Sequence, residues 1–281
     1  CITAWGSGPV LMPGERLVAP SGPACQQIDL LSFRTVGQKY PLVILISFAS
    51  HIHLGQIPYF NAEVAGAVKR ELEKHLSETL IMYANGAAGN LNMHKAVHPI
   101  PDTKNLKDIL NWYQKSTQLL AQRFSEAILP VIGTLKYQKP TCFLHSFYTN
   151  APSKSILEPA PLKIHTLALG ENLALVNYQG ELFYEYGLQI HQLSPFAFTF
   201  QIAYNDSGYG YVGTPLDYER GAYEIKGRIP RNSAEKAEWR KVGIRICRST
   251  PQTGTIITNK IIKLLEQLKN QIKPTLKTIK G

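Results

Sequence analysis

Two imidazoles two residues apart, a carboxylate just past an apolar run, and a cluster of tyrosines are the side chains in this 281-residue chain best suited to hold a cation. The run Leu42-Val-Ile-Leu-Ile-Ser-Phe-Ala49 reads as a buried strand and ends at Ser50-His51-Ile52-His53. If the strand continues, both imidazoles fall on one side of it, and one of them can ligate a metal. A second run, Leu173 to Tyr178, ends at Gln179-Gly180-Glu181 and delivers a carboxylate just beyond a strand. The segment from Tyr209 to Glu224 holds Tyr209, Tyr211, Tyr218 and Tyr223 among glycines and a proline, the look of a shaped loop and a pocket wall. Imidazole, carboxylate and phenol together suit a zinc-like ion with an open position for water. A further run, Thr79 to Ala84, stops at Asn85-Gly-Ala-Ala-Gly-Asn-Leu-Asn92, a small-residue turn that can place backbone N–H groups around a ligand.

These groups sit at strand ends, where open α/β sheets place their sites. Between them the pattern alternates helices and strands. Apolar residues at 64, 65, 68, 72 and 76 predict a surface helix over 61–77, and Leu106, Ile109, Leu110, Tyr113, Leu120 and Phe124 predict a longer one over 102–128. Short apolar or alternating runs predict strands over 142–149, 162–168, 173–178 and 196–204. No internal repeat or low-complexity segment is found. The expected fold class is α/β, a mixed β-sheet flanked by helices, as one domain over 1–281 with no appended all-β domain.

The segments Phe48-Ala-Ser-His51, Asn85 to Asn92, Gln179-Gly-Glu181 with Gly187 following, and Asn205 through Glu224 resemble, in that order, the neutral/alkaline (non-lysosomal) ceramidases and their divergent bacterial relatives. The resemblance covers roughly residues 30 to 225. It implies a zinc ion held by His51, Glu181 and Tyr211, with Tyr223 reaching the substrate or its oxyanion. It also implies that the loop around Gly89 and Asn92 supplies oxyanion hydrogen bonds. The implied reaction is hydrolysis of a lipid amide of the N-acylsphingosine type by metal-activated water. Two departures stand out. The family's loop serine and aspartate fall on Asn92 and Asn90, and no His-Thr-His-like segment for a first ligand histidine precedes Phe48. His53, His94 and His98 are candidate substitutes for that ligand. Two other readings stay open: a ceramidase-like binding protein without catalysis, and a metal hydrolase acting on a different small amide or ester.

The chain begins at Cys1, and residues 1–26, rich in proline and glycine, read as an irregular lead-in to a strand near Gln27 to Thr35. The expectation is a chain lacking the family's N-terminal part, or a lipoprotein cysteine. The localisation expected is extracytoplasmic: secreted, periplasmic or lipoprotein-anchored. Cys1, Cys25, Cys142 and Cys247 show no C-x-x-C spacing, which argues against a cysteine zinc site and leaves one or two disulfides open. No apolar stretch has the ~18 residues a spanning helix needs. Residues 226–281 carry 14 Lys+Arg against 3 Asp+Glu, so all of the formal +10 charge lies in this tail. Within it, 256–272 reads as an amphipathic helix that Pro274 stops. The tail reads as a docked terminal helix with a solvated basic face; an anionic membrane surface is the alternative partner, and nucleic acid is not expected.

Overall fold

The computed structural model of the chain describes residues 2–9, 23, 25, 27–54, 57, 59–93, 101–138, 144–151, 162–205, 209–220, 222, 224–225, 234, 237–238 and 249–279. It is an α/β structure of helices and small mixed sheets, and among the described residues no all-β domain is seen. The chain divides into two compact units: Cys1–Asn85 with Leu91–Pro140, and Gly86–Asn90 with Thr141–Gly281.

In the first unit β1 (Ile2–Pro9), β2 (Gln27–Arg34), β3 (Val43–Phe48) and β4 (Leu80–Asn85) lie in that order in one sheet. The first two pairings are antiparallel, and β3 pairs parallel with β4. A parallel pair cannot be joined by a hairpin, so the chain crosses over through α1 (Glu63–Glu73). Helix α2 (Leu106–Thr134) follows and packs beside it. Strand alternation sends Ile28, Leu30, Ile44, Ile46, Phe48 and Ile81 into a core with Val68, Leu72, Leu120 and Phe124 of the helices. Phe48 and Phe124 meet edge-on, ring centroids 5.2 Å apart, a geometry that adds about 0.5–1.5 kcal/mol beyond burial. Glu71 of α1 is buried, and its carboxylate accepts from Gln118 Nε2 of α2 (2.7 Å) and from Lys74 Nζ (2.6 Å).

The second unit holds β5 (Leu144–Ala151), β6 (Leu162–Leu169), β7 (Leu173–Tyr178), a short β8 (Glu181–Leu182), α3 (Tyr184–Leu193), β9 (Phe198–Ile202), a short β10 (Tyr211–Val212), α4 (Pro215–Arg220) and α5 (Thr253–Ile279). The sheet order is β5-β6-β7-β9, two antiparallel pairings and then a parallel one crossed over by α3. Helix α5 packs against α3, β5 and β6, burying Ile257, Ile261, Leu264, Leu265, Leu268 and Ile272. The apolar stripe predicted for the tail is thus committed to this core. No helix among the described residues is long and apolar enough to cross a membrane.

Four expectations are corrected. The irregular lead-in contains β1, because an eight-residue antiparallel register with β2 supplies the hydrogen bonds that its glycines argue against locally. Pro274 does not stop α5, and α2 runs past 128 through Pro130 to Thr134. Each proline forfeits one hydrogen bond, but it sits close to the end of a helix whose earlier turns are already anchored by buried Leu268 or Ile128. The tyrosine-rich segment is not only loop: Tyr209 and Val212 are core residues, and Thr214 caps α4, its N–H and Oγ1 both donating to Asp217 Oδ2 at 2.9 and 2.5 Å.

The hydrogen bonds from Lys74 and Gln118 hold the Glu71 carboxyl below its ordinary 4.5. Its folded pKa lies below the unfolded one, so its contribution is complete above the unfolded pKa and is lost as pH falls through the folded one. Glu71→Gln should therefore lower the urea midpoint at neutral pH by the equivalent of about 1–3 kcal/mol, with the gap to the parent closing below about pH 4.

Candidate functional site

In the second unit β7 ends at Tyr178, and Gly180 then adopts φ +95°, a left-handed turn that only glycine takes without strain, to start β8 at Glu181. Gly210 does the same at φ +96° immediately before Tyr211. Glu181 and Tyr211 are direct partners in a parallel pairing, with Glu181 N–H donating to Gly210 O (2.9 Å) and Phe183 N–H to Val212 O (3.1 Å). Residues so paired carry their side chains on one face of the ribbon, neighbours at about 5 Å. The structure thus brings together two predicted ligands, a buried carboxylate and a half-buried phenol.

The outer side of β10 has no neighbouring strand among the described residues, and hydroxyl groups take that place. Ser249 Oγ donates to Tyr211 O (2.5 Å) and accepts from Tyr218 OH (2.6 Å). Tyr186 OH donates to Gly213 O at 3.4 Å. Burial pushes the Tyr186 phenol up, the carboxylates of Asp217 and Glu185 add to this, and a hydrogen bond with Thr255 opposes it. Every carbonyl from Gly210 to Gly213 therefore accepts a hydrogen bond, and the backbone carrying Tyr211 is held from both sides. Sequence reasoning missed Ser249 and Tyr186, and singled out Tyr218 only as one tyrosine of the shaped loop. For α4 the Thr214-Pro215-Leu216-Asp217 capping pattern was readable, but nothing local marks Ser249.

The loop Gly86–Asn90 packs within this second unit. Gly89 N–H donates to Leu182 O at 2.9 Å, so its donor is spent on the fold and not held for an oxyanion. What Gly89 supplies is space: a Cβ there would lie 2.3 Å from Glu181 O and 2.8 Å from Phe183 Cδ1. Gly187 of α3 lacks a side chain for a matching reason, since a Cβ there would come within 2.6 Å of the Ala87 methyl. Asn90 uses both ends of its carboxamide. Its Oδ1 accepts from Tyr184 N–H at the start of α3 (2.9 Å), and its Nδ2 donates to Glu185 Oε2 (2.9 Å).

In the first unit the backbone past β3 forms a one-residue parallel bridge, His51 with Asn92, supported by His51 N–H donating to Leu91 O at 2.9 Å. His51 is half-buried and Asn92 exposed. The His51 and His53 rings lie 5.7 Å apart between centroids, so the two imidazoles are neighbours as their spacing predicted. Tyr223, His94 and His98 lie outside the described residues. Among the described residues no three His, Cys, Asp or Glu side chains cluster to hold a metal ion; the expected set contains only two such groups, the third being Tyr211.

No family model matches the chain, and neither does any curated protein. The arrangement of its strands and helices is nonetheless that of a ceramidase-like fold. Among solved structures the chain is similar to the neutral ceramidase from Pseudomonas aeruginosa, with a TM-score of 0.67 over 96% of this chain at 13% sequence identity. The chain spans about half the length of that protein, 52% of it.

Two substitutions check this local account. Asn90→Asp would set a carboxylate against that of Glu185 and remove the donor between them; it should destabilise the chain by about 1–3 kcal/mol at pH 7 in urea unfolding, and adding Glu185→Gln should restore most of the loss. Gly89→Ala should cost more than about 2 kcal/mol, because the atom it meets is backbone that cannot swing away.

Proposed function

We propose that the chain is a zinc-dependent hydrolase of a linear amide, ceramidase-like, with a lipid amide of the N-acylsphingosine type as substrate. The observation that carries this reading is the Glu181–Tyr211 pairing: a carboxylate and a phenol 30 residues apart in sequence stand side by side, in a chain with a ceramidase-like fold. The third donor of this reading is His51, which the family resemblance implies. Imidazole, carboxylate and phenol fit a borderline ion with an open position.

A zinc-like ion, when bound, supplies Lewis acidity that eases ionisation of water near neutral pH and polarises a carbonyl. The chain's own residues do the rest. Glu181, almost fully buried, places its carboxyl oxygens where little water competes for them. The hydroxyls of Ser249 and Tyr186 hold β10, so Tyr211 needs little reorganisation to reach its position. Asn92 has a carboxamide N–H to offer a developing oxyanion, and Tyr223 a phenol O–H. The basic face of α5, which includes exposed Lys263, is the part suited to an anionic lipid surface.

A second reading is favoured by Asn90 and Asn92, which stand where the resembling family has an aspartate and a serine. It is a binding protein that keeps the shell without the chemistry. A metal hydrolase acting on another small amide or ester is the third.

Elemental analysis of the purified chain, after removal of loosely held ions, should find about one zinc per chain and none in His51→Ala. With a fluorescent N-acylsphingosine in detergent micelles, His51→Ala and Glu181→Ala should each reduce hydrolysis to the uncatalysed background. Turnover unchanged in either variant would end the metal reading. Zinc without turnover on any amide or ester would select the binding protein.

A further inference from the structure

Phe60 is 109% exposed, more than in an extended chain, and its neighbour Tyr59 is 57% exposed. Single exposed apolar side chains are ordinary on a protein, whereas two adjacent rings held in water forgo a large burial free energy. The pair does not sit on loose chain. Asn61 Nδ2 donates to Tyr59 O (3.1 Å), and Asn61 Oδ1 accepts from Glu63 N–H at the start of α1 (2.7 Å). Tyr113 OH of α2 shares its proton between Asn61 Oδ1 (2.6 Å) and Glu63 Oε2 (2.5 Å). One carboxamide thus ties the aromatic pair to both helices of the first unit, and a fixed backbone presents the rings.

Topology sets where they stand. Strands β3 and β4 are parallel, so the crossover helix α1 starts at their carboxyl ends, just beyond His51 and His53. Val64 N–H donates to Ile52 O at 3.4 Å across this junction. Helix α2 starts at the same end, since Tyr113, two turns in, meets Asn61. Its first residue, Leu106, is exposed as well, among exposed Asp102, Lys104, Lys107 and Asp108, whose charges balance.

The apolar surface so formed is small. Two rings and a leucine, set among polar side chains, fall short of the ~800 Å² per partner that a standard protein interface buries. A lipid surface asks for no complementary shape. A phenyl ring can enter the acyl boundary while a phenol stays at headgroup level, and Lys104 and Lys107 have stems long enough to reach lipid phosphates.

We infer that Tyr59 and Phe60 are an interfacial anchor that inserts into a lipid surface and turns the His51 end of the first unit toward it. The choice of a lipid surface rests on the lipid-amide reading proposed above. Because the nearby charges balance, the rings and not ionic attraction set this contact, so it forms on neutral lipid.

The test is sedimentation of the full chain with sucrose-loaded phosphatidylcholine vesicles at millimolar lipid. The proteins compared are the parent, Phe60→Ser, the double variant Tyr59→Ser/Phe60→Ser, and Leu193→Ser, which removes an exposed apolar side chain from the second unit. The parent should bind, Phe60→Ser at least fivefold more weakly and the double variant more weakly still. Leu193→Ser should stay within twofold of the parent, as should the parent when salt is raised several-fold. No binding to neutral vesicles, or equal binding by the parent and the double variant, would overturn the inference. Binding confined to anionic vesicles and unchanged in the double variant would overturn it too, and would assign the contact to the basic face of α5. So would a parent dimer in light scattering that Phe60→Ser dissolves, since the rings would then belong to a second copy. The hydrolase reading fails separately: vesicle binding that needs Phe60, in a chain that hydrolyses no amide, upholds the anchor and ends that reading, and hydrolysis in micelles by a chain that does not bind vesicles does the reverse.

Discussion

Parallel strand pairing is the constraint on which the rest of this molecule depends. Two parallel strands cannot be joined by a tight turn, so β3 and β4, and separately β7 and β9, each require a crossover. Helices α1 and α3 supply it, and each must bury an apolar stripe against its own sheet, which creates a core on that face. The same geometry leaves both strands of a pair ending on the same edge. Whatever follows the third strand and whatever follows the fourth are brought side by side without any direct sequence relation. His51 meets Asn92, and Glu181 meets Tyr211, for this reason.

Keeping such short bridges in place needs more than the ladder itself. A two-residue strand makes only a few backbone bonds, and its outward carbonyls would lose partners on burial. In β10 the remedy is side-chain hydroxyls: Ser249, backed by Tyr218, takes the carbonyl of Tyr211, and Tyr186 takes that of Gly213. The glycines serve the same end. Gly180 and Gly210 turn the chain into the bridge with positive φ, and Gly89 lets the neighbouring loop approach the Glu181 backbone more closely than any side chain would permit.

Much of this was legible in the sequence, and the boundary of legibility is physical. Strand β7 was predicted over its observed span, since Leu173 to Tyr178 is a short apolar run closed by Gly180. Helices α1 and α2 showed their period, and His51, Glu181 and Tyr211 stood out because they follow strands or glycines. Strand β1 was illegible because its pairing with β2 overrides a local composition that disfavours strand. Ser249 was illegible because it bonds a carbonyl 38 residues earlier in the chain. The backbone donor expected of Gly89 could not be judged from sequence either, since only the fold shows that Leu182 has already taken it.

The two asparagines of the loop separate cleanly in this light. Asn90 is accounted for by the fold: its oxygen accepts from the first N–H of α3, and its nitrogen donates to Glu185, an interaction that an ionised aspartate cannot make. An acceptor-only residue at 90 would need a different partner at 185, so the pair Asn90–Glu185 is one structural unit. Asn92 is exposed, and a parallel bridge sets its backbone beside that of His51. In the proposed site, a carboxamide at 92 sets which step the residue can assist. A carboxamide cannot act as the nucleophile, yet it can still donate a hydrogen bond to negative charge or offer an oxygen to a cation.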